Sequence, residues 1–148
     1  MFVTSTGNQY LNQLSQILAE GEEVSIAVAF LGEGAQHLFK GLGKPVRLLC
    51  NLMSGATNPD VVKTIGDYAG VQVRRLDNLH AKVVHTSTQA LVGSANLSAN
   101  GLNLEGEESS GWREAGYLVR DGQQLAAIRD WFELQCVDLR GILTHDLH

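Results

Sequence analysis

The stretch "NLHAKVVHTSTQALVGSANLSANGL", residues 78–102, contains two apolar runs, "AKVVHT" and "QALVGS", with only a few polar residues between them. β-Branched and apolar residues interrupted by so short a polar link predict two antiparallel strands joined as a hairpin. If the first run is extended, alternation puts His80, Lys82 and Val84 on one face and Ala81, Val83 and His85 on the other. Ser94 and Asn96 share a parity of their own, and Gly93 permits a close backbone approach where the second strand ends. Four polar side chains can therefore converge at one sheet edge. A lysine supplies positive charge, serine and asparagine supply neutral donors, and an imidazole can attack phosphorus or carry a proton near neutral pH. That set meets the requirements of a phosphodiester site. It also describes the solvated edge of an ordinary hairpin, and spacing by itself does not choose between the two.

Upstream, the pattern is of another kind. In "NQYLNQLSQILAEGEE" the residues Tyr10, Leu11, Leu14, Ile17 and Leu18 recur at helical spacing, and Gly21 stands where the helix should stop. "EVSIAVAFL" is almost continuously apolar, as a strand covered on both faces should be, and is expected at the centre of a sheet. A short helix in "GEGAQHLFKGLG" and a strand in "KPVRLLCNL" come next. They are followed by a helix in "NPDVVKTIGDYAG" with Asn58 as its cap, Pro59 at its first position and Gly70 at its end, and by a strand in "VQVRRL". Beyond the hairpin, "NLEGEESSGWRE" reads as an exposed acidic loop, "EAGYLVRD" as a strand and residues 123–136 as a closing helix with Trp131 and Phe132 in the core. The order predicts an α/β fold, a mixed β-sheet sandwiched between helices, in a single domain over residues 1–148.

Composition narrows the function. A chain of 148 residues with a formal charge of −5 lacks the broad basic surface needed to coat nucleic acid or an anionic membrane indiscriminately, so any basic site must be local. Lys63, Arg74, Arg75 and Arg113 are candidates for that charge, or are ordinary surface residues. The longest apolar stretch is far short of the roughly 20 residues that span a bilayer, so no stable membrane insertion is expected. No secretory or transit pattern opens the chain, and the expected location is cytoplasmic. Cys50 and Cys136 read as two buried free thiols. His37, His85, His145 and His148 form no ligand spacing with carboxylates, so neither a metal nor another cofactor is expected. His85 faces away from His80 by parity, and a structural or exposed role suits it.

The combination of His80, Lys82, Gly93, Ser94 and Asn96 resembles the signature of the phospholipase D superfamily, H-x-K, four residues, D, about six residues, then G-S-x-N. The flanks "ALVGSANLSANGL" and "REAGYLV" are similar to its nuclease-like branch, so the resemblance covers residues 78–119. Ser87 stands where the motif has aspartate, and the following spacer is one residue shorter. The resemblance implies a phospholipase D-like fold and a metal-independent phosphodiesterase with His80, Lys82, Asn96 and Glu114 as catalytic residues. Lys82, Ser94, Asn96 and Gly93 would bind the phosphate, and Glu114 would hold the histidine ring; Glu105, Glu107 and Glu108 fit a solvated acidic loop better. The family's reaction uses two histidines and this sequence has one H-x-K, so a homodimer is expected in which His80 of one copy attacks phosphorus and His80 of the other moves the proton.

The leading expectation is a nuclease acting on nucleic acid, DNA ahead of RNA. The alternatives are a hydrolase of phospholipid or of a small phosphodiester, and a catalytically silent nucleic-acid-binding module, perhaps a subunit of a larger assembly.

Overall fold

In the computed structural model, residues 1–53, 55, 57–98 and 113–138 are described. The elements in chain order are β1 (Phe2–Thr4), α1 (Gln9–Glu20), β2 (Val24–Val28), α2 (Gln36–Phe39), β3 (Val46–Cys50), α3 (Pro59–Gly66) and β4 (Val71–Arg75). They continue with β5 (Lys82–His85), β6 (Ala90–Gly93), β7 (Ala115–Val119) and α4 (Gly122–Asp138). The strands form one sheet in the order β1-β7-β6-β5-β2-β3-β4. β2 pairs in parallel with β3, and β3 with β4, while β5, β6, β7 and β1 continue the sheet antiparallel on the other side of β2. The expected mixed α/β sheet is therefore present, and all five residues of β2 are buried, as its continuous apolar text requires.

Alternation along the strands makes two cores. Val24, Ile26 and Val28 of β2, with Leu48, Val73, Val84, Leu91 and Leu118 of its neighbours, face Tyr10, Leu14, Ile17 and Leu18 of α1 and Val61, Val62 and Ile65 of α3. Ala27 and Leu49 face the other way, and with Leu79 they enclose Phe132 of α4. Phe132 is fully buried and Trp131 packs partly against the same cluster, so the aromatic pair is core. Both cysteines are free, Cys50 buried and Cys136 half-buried.

Local chemistry sets the ends of the elements. α1 stops at Gly21, and the Lys44 ammonium donates to the carbonyls of Leu18, Ala19 and Gly21 at 2.6, 2.9 and 2.6 Å, satisfying acceptors that the helix leaves open. Asn58 Oδ1 accepts from the N–H groups of Asp60 and Val61, with Pro59 at the first helical position. α3 ends at Gly66, not at Gly70 as expected. Gly70, at φ 84°, instead makes the turn into β4, where a Cβ would lie 2.7 Å from the Lys44 carbonyl oxygen. β1 was not apparent in the sequence because a three-residue strand carries almost no alternation.

The hairpin of β5 and β6 holds without the motif aspartate. Val83 pairs with Val92 and His85 with Ala90, and Thr86 Oγ1 accepts from the N–H groups of Thr88 and Gln89 while the Thr86 N–H donates to Gln89 O. Thr86 organises the turn that the shortened spacer leaves, and Ser87 is exposed. The acidic stretch at 105–108, and His145 and His148, lie outside the described residues.

Replacing Asn58 by Ala should lower stability by about 1 kcal/mol in urea unfolding, because two N–H groups lose their acceptor. A second prediction concerns His85. Its ring is buried edge-on against Phe132, centroids 5.1 Å apart, with Nε2 unpartnered among the described residues. Burial first, and the Arg47 cation second, push its pKa down to about 4. A histidine held neutral in the fold binds a proton more readily once unfolded, so its stabilisation is complete above pH 6.5 and lost as pH falls toward 4. By linkage the loss at pH 4 is about 3 kcal/mol. Urea titrations at pH 7 and pH 4 should give a difference smaller by about that amount in His85→Leu.

Candidate active site

The carboxyl ends of β1, β2, β3, β4 and β6 and the amino ends of β5 and β7 meet on one edge of the sheet. At the middle of that edge the chain order reverses about β2, with β3 and β4 to one side and β5, β6 and β7 to the other, and in open α/β sheets ligands bind at such a switch point outside the carboxyl ends.

Lys82 opens β5 and pairs with Val28 at the end of β2. Carried two residues further, the same register sets His80 opposite Phe30, and the two rings meet edge to face with centroids 6.4 Å apart. His80 is exposed and Lys82 half-buried. Neither makes a hydrogen bond or ion pair with a described residue, so an imidazole and an ammonium both stand available at the edge.

The serine and asparagine reach the edge by particular hydrogen bonds. β6 ends at Gly93, and Ser94 and Asn96 lie past its end, where strand alternation no longer governs them. Ser94 Oγ donates to the Glu114 carboxylate in a very short contact and accepts the Ala115 N–H at 3.1 Å. Glu114 is gripped in turn from β1: its N–H donates to Ser5 Oγ at 3.1 Å and its carbonyl accepts the Ser5 N–H at 3.0 Å. Asn96 Oδ1 accepts the Phe30 N–H at 3.1 Å, which commits the oxygen and leaves the amide NH₂ as the group able to donate to a ligand.

Among the sequence-predicted residues, His80 and Asn96 are thus joined through Phe30, and Ser94 is joined to Glu114. Glu114 makes no hydrogen bond to the His80 ring among the described residues; its carboxylate accepts the Ser94 hydroxyl. Gly93 is required by internal packing: a Cβ there would lie 2.3 Å from the Tyr10 hydroxyl, 2.8 Å from the Ala115 carbonyl oxygen and 2.9 Å from Gly116 Cα. His85 sits at the far end of β5 and packs against Phe132, on the face its parity implied. Of the four candidate cations, Arg75 is bound to Asp77 at 2.7 Å, and Arg113 adjoins the site, lining a groove with Thr4, Ser5, Thr6 and Glu114.

The sequence pattern does not mark Phe30 or Ser5 as site residues, and it marks Tyr10 only as a position on the apolar face of α1. Phe30 carried a signal, since it follows the carboxyl end of the most apolar strand; Ser5 and Tyr10 are recruited by β1 and α1, whose placement no local pattern reveals.

No protein-family profile matches the sequence, and no curated relative was found for it. Solved structures do match. NucT from Helicobacter pylori superposes with a TM-score of 0.76 at 17% identity, over 96% of this chain and 100% of NucT. The phospholipase D family member Nuc from Salmonella typhimurium gives 0.74 at 11% identity over 93% of each chain. The chain has the phospholipase D fold. The same phospholipase D fold recurs, at a TM-score of 0.63 and 16% identity, in 51% of TrmBL2, an archaeal chromatin protein with a novel mode of DNA binding. It recurs again, at 0.63 and 17% identity, in 38% of the phosphatidylserine synthase of Haemophilus influenzae.

Gly93→Ala should destabilise the protein by about 1–3 kcal/mol or more in urea unfolding, since Tyr10 and β7 must move apart to admit the methyl group.

Proposed function

We propose that the chain is a metal-independent phosphodiesterase that hydrolyses nucleic acid, DNA ahead of RNA, through a phosphohistidine at a site completed by a second copy of the same chain. The observation that carries this reading is the unpartnered pair His80 and Lys82 at the switch point, beside an Asn96 whose NH₂ is the free half of its amide. Beyond the contacts of His80 and Asn96 with Phe30, these groups have no hydrogen-bond or ionic partner among the described residues, and together they suit a phosphodiester anion.

In this mechanism His80 attacks phosphorus. A P–N bond forms, the P–O bond to the leaving group breaks, and His80 of the second copy gives that oxygen its proton. The second His80 then takes a proton from water, whose oxygen displaces the first His80 and regenerates both rings. Lys82 and Asn96 donate to the non-bridging oxygens as charge builds on them, a task worth about 2–4 kcal/mol for each well-placed donor. Ser94, tied to Glu114, contributes its side of the pocket, and Glu114 acts through that serine. NucT and Nuc, aligned over 100% and 93% of their lengths, support a functional unit of this size. The DNA-binding TrmBL2 and the nuclease-like flanks of the motif support nucleic acid. Among the described residues no helix is long and apolar enough to cross a membrane.

The test offers single- and double-stranded DNA, RNA, phospholipid vesicles and a chromogenic phosphodiester, each with and without chelator. Nucleic acid should be cut equally well with chelator present; cleavage that chelator abolishes, or confined to vesicles, would refute the proposal. His80→Ala should lower kcat by about 10⁴ or more, and Lys82→Ala by about 10²–10³. Sedimentation should give a dimer, and mixing His80→Ala with wild-type protein should depress activity by more than simple dilution.

A further inference from the structure

Tyr10 belongs to α1, on the far side of β6 from solvent, and only 5% of its surface is exposed. Its ring serves the core with Leu14 and Ile17, yet its hydroxyl does not turn away from the candidate site. The hydroxyl lies against Gly93, so close that a Cβ at that position would come within 2.3 Å of it. The ring edge lies against Gly116 of β7, where a Cβ would be 2.9 Å from Tyr10 Cε2. The backbone amide of Ala95 and the charge of Glu114 are the polar neighbours of the phenol. Ala95 is the buried residue between Ser94 and Asn96.

The phenol therefore touches Gly93 and has the Ala95 amide and the Glu114 charge as its polar neighbours, and Ser94 and Asn96 flank Ala95 in the chain. Resting on the phosphodiesterase reading above, we infer that Tyr10 is a positioning residue: its hydroxyl receives the Ala95 N–H and fixes the Gly93–Asn96 turn, so that Ser94 and Asn96 are presented to the phosphate in one arrangement. The two glycines are the complement of this device, since any side chain at either would displace the ring. A buried hydroxyl needs such a partner, whereas a phenylalanine would fill the same core volume without one. Misplacing donors that act on developing charge lowers the rate of the chemical step more than it weakens substrate binding.

Tyr10→Phe, which keeps the ring and removes the hydroxyl, tests this. It should lower kcat about tenfold with KM changed less than about twofold, assayed well below its unfolding midpoint. Amide hydrogen exchange at Ala95 should be slow in the wild type and about tenfold or more faster in the variant. Packing alone predicts wild-type kcat and wild-type exchange for Tyr10→Phe, and that result would overturn the inference. Fast exchange at Ala95 in the wild-type protein would do the same without any variant. His80→Ala separates the two readings: if it stays active, the phosphodiesterase mechanism fails, whereas an inactive His80→Ala beside a fully active Tyr10→Phe removes the positioning role alone.

Discussion

The antiparallel docking of β5 on β2 is the pairing on which the rest of the candidate site depends. Val28 opposite Lys82 places the ammonium at the carboxyl end of the central strand, and two residues further the same register brings His80 onto Phe30. Without this reversal β2 would have a parallel neighbour on each side, and the two groups would not arrive at the carboxyl edge from the start of a strand. The burial of all five β2 residues holds the pairing in place, because a slip by one residue would turn Val24, Ile26 and Val28 out of the larger core.

Around that pairing the polar groups are held by backbone donors, and Ser94 and Glu114 also by one another. Phe30 N–H takes the Asn96 oxygen, Ala115 N–H takes the Ser94 hydroxyl, and Ser5 grips the main chain of Glu114. Main-chain groups of a packed sheet are rigid, so side chains anchored on them keep their geometry before any ligand arrives. The opposite end of β5 has a different character, with His85 neutral and enclosed beside Phe132. β5 and the two residues before it thus carry two histidines with opposite fates, decided by which face and which end of the sheet each occupies.

Much of this was legible in the sequence because the relevant signals are local. The apolar run of β2, the helical spacing of Tyr10 to Leu18 and the Asn58-Pro59 start of α3 each reflect forces acting within a few residues. The hairpin could be read from "AKVVHT" and "QALVGS", although its register and the part played by Thr86 in turning the chain without an aspartate could not. β1 escaped notice because three residues at a sheet edge take their conformation from β7, not from their own pattern. Gly70 was misplaced for a related reason: its positive φ answers to the carbonyl of Lys44, which is distant in sequence.

The sequence by itself determined every element but β1, the mixed sheet and the set of polar residues at the hairpin's open end, since periodicity and spacing encode burial and strand alternation. Only the tertiary structure decided how those residues are held. Alternation ceases at Gly93, and from there the positions of Ser94, Asn96 and Glu114 depend on Phe30, Ser5 and Tyr10, which come from the ends of β2 and β1 and from α1. Contacts between such distant segments form when the sheet closes, and no local pattern records them.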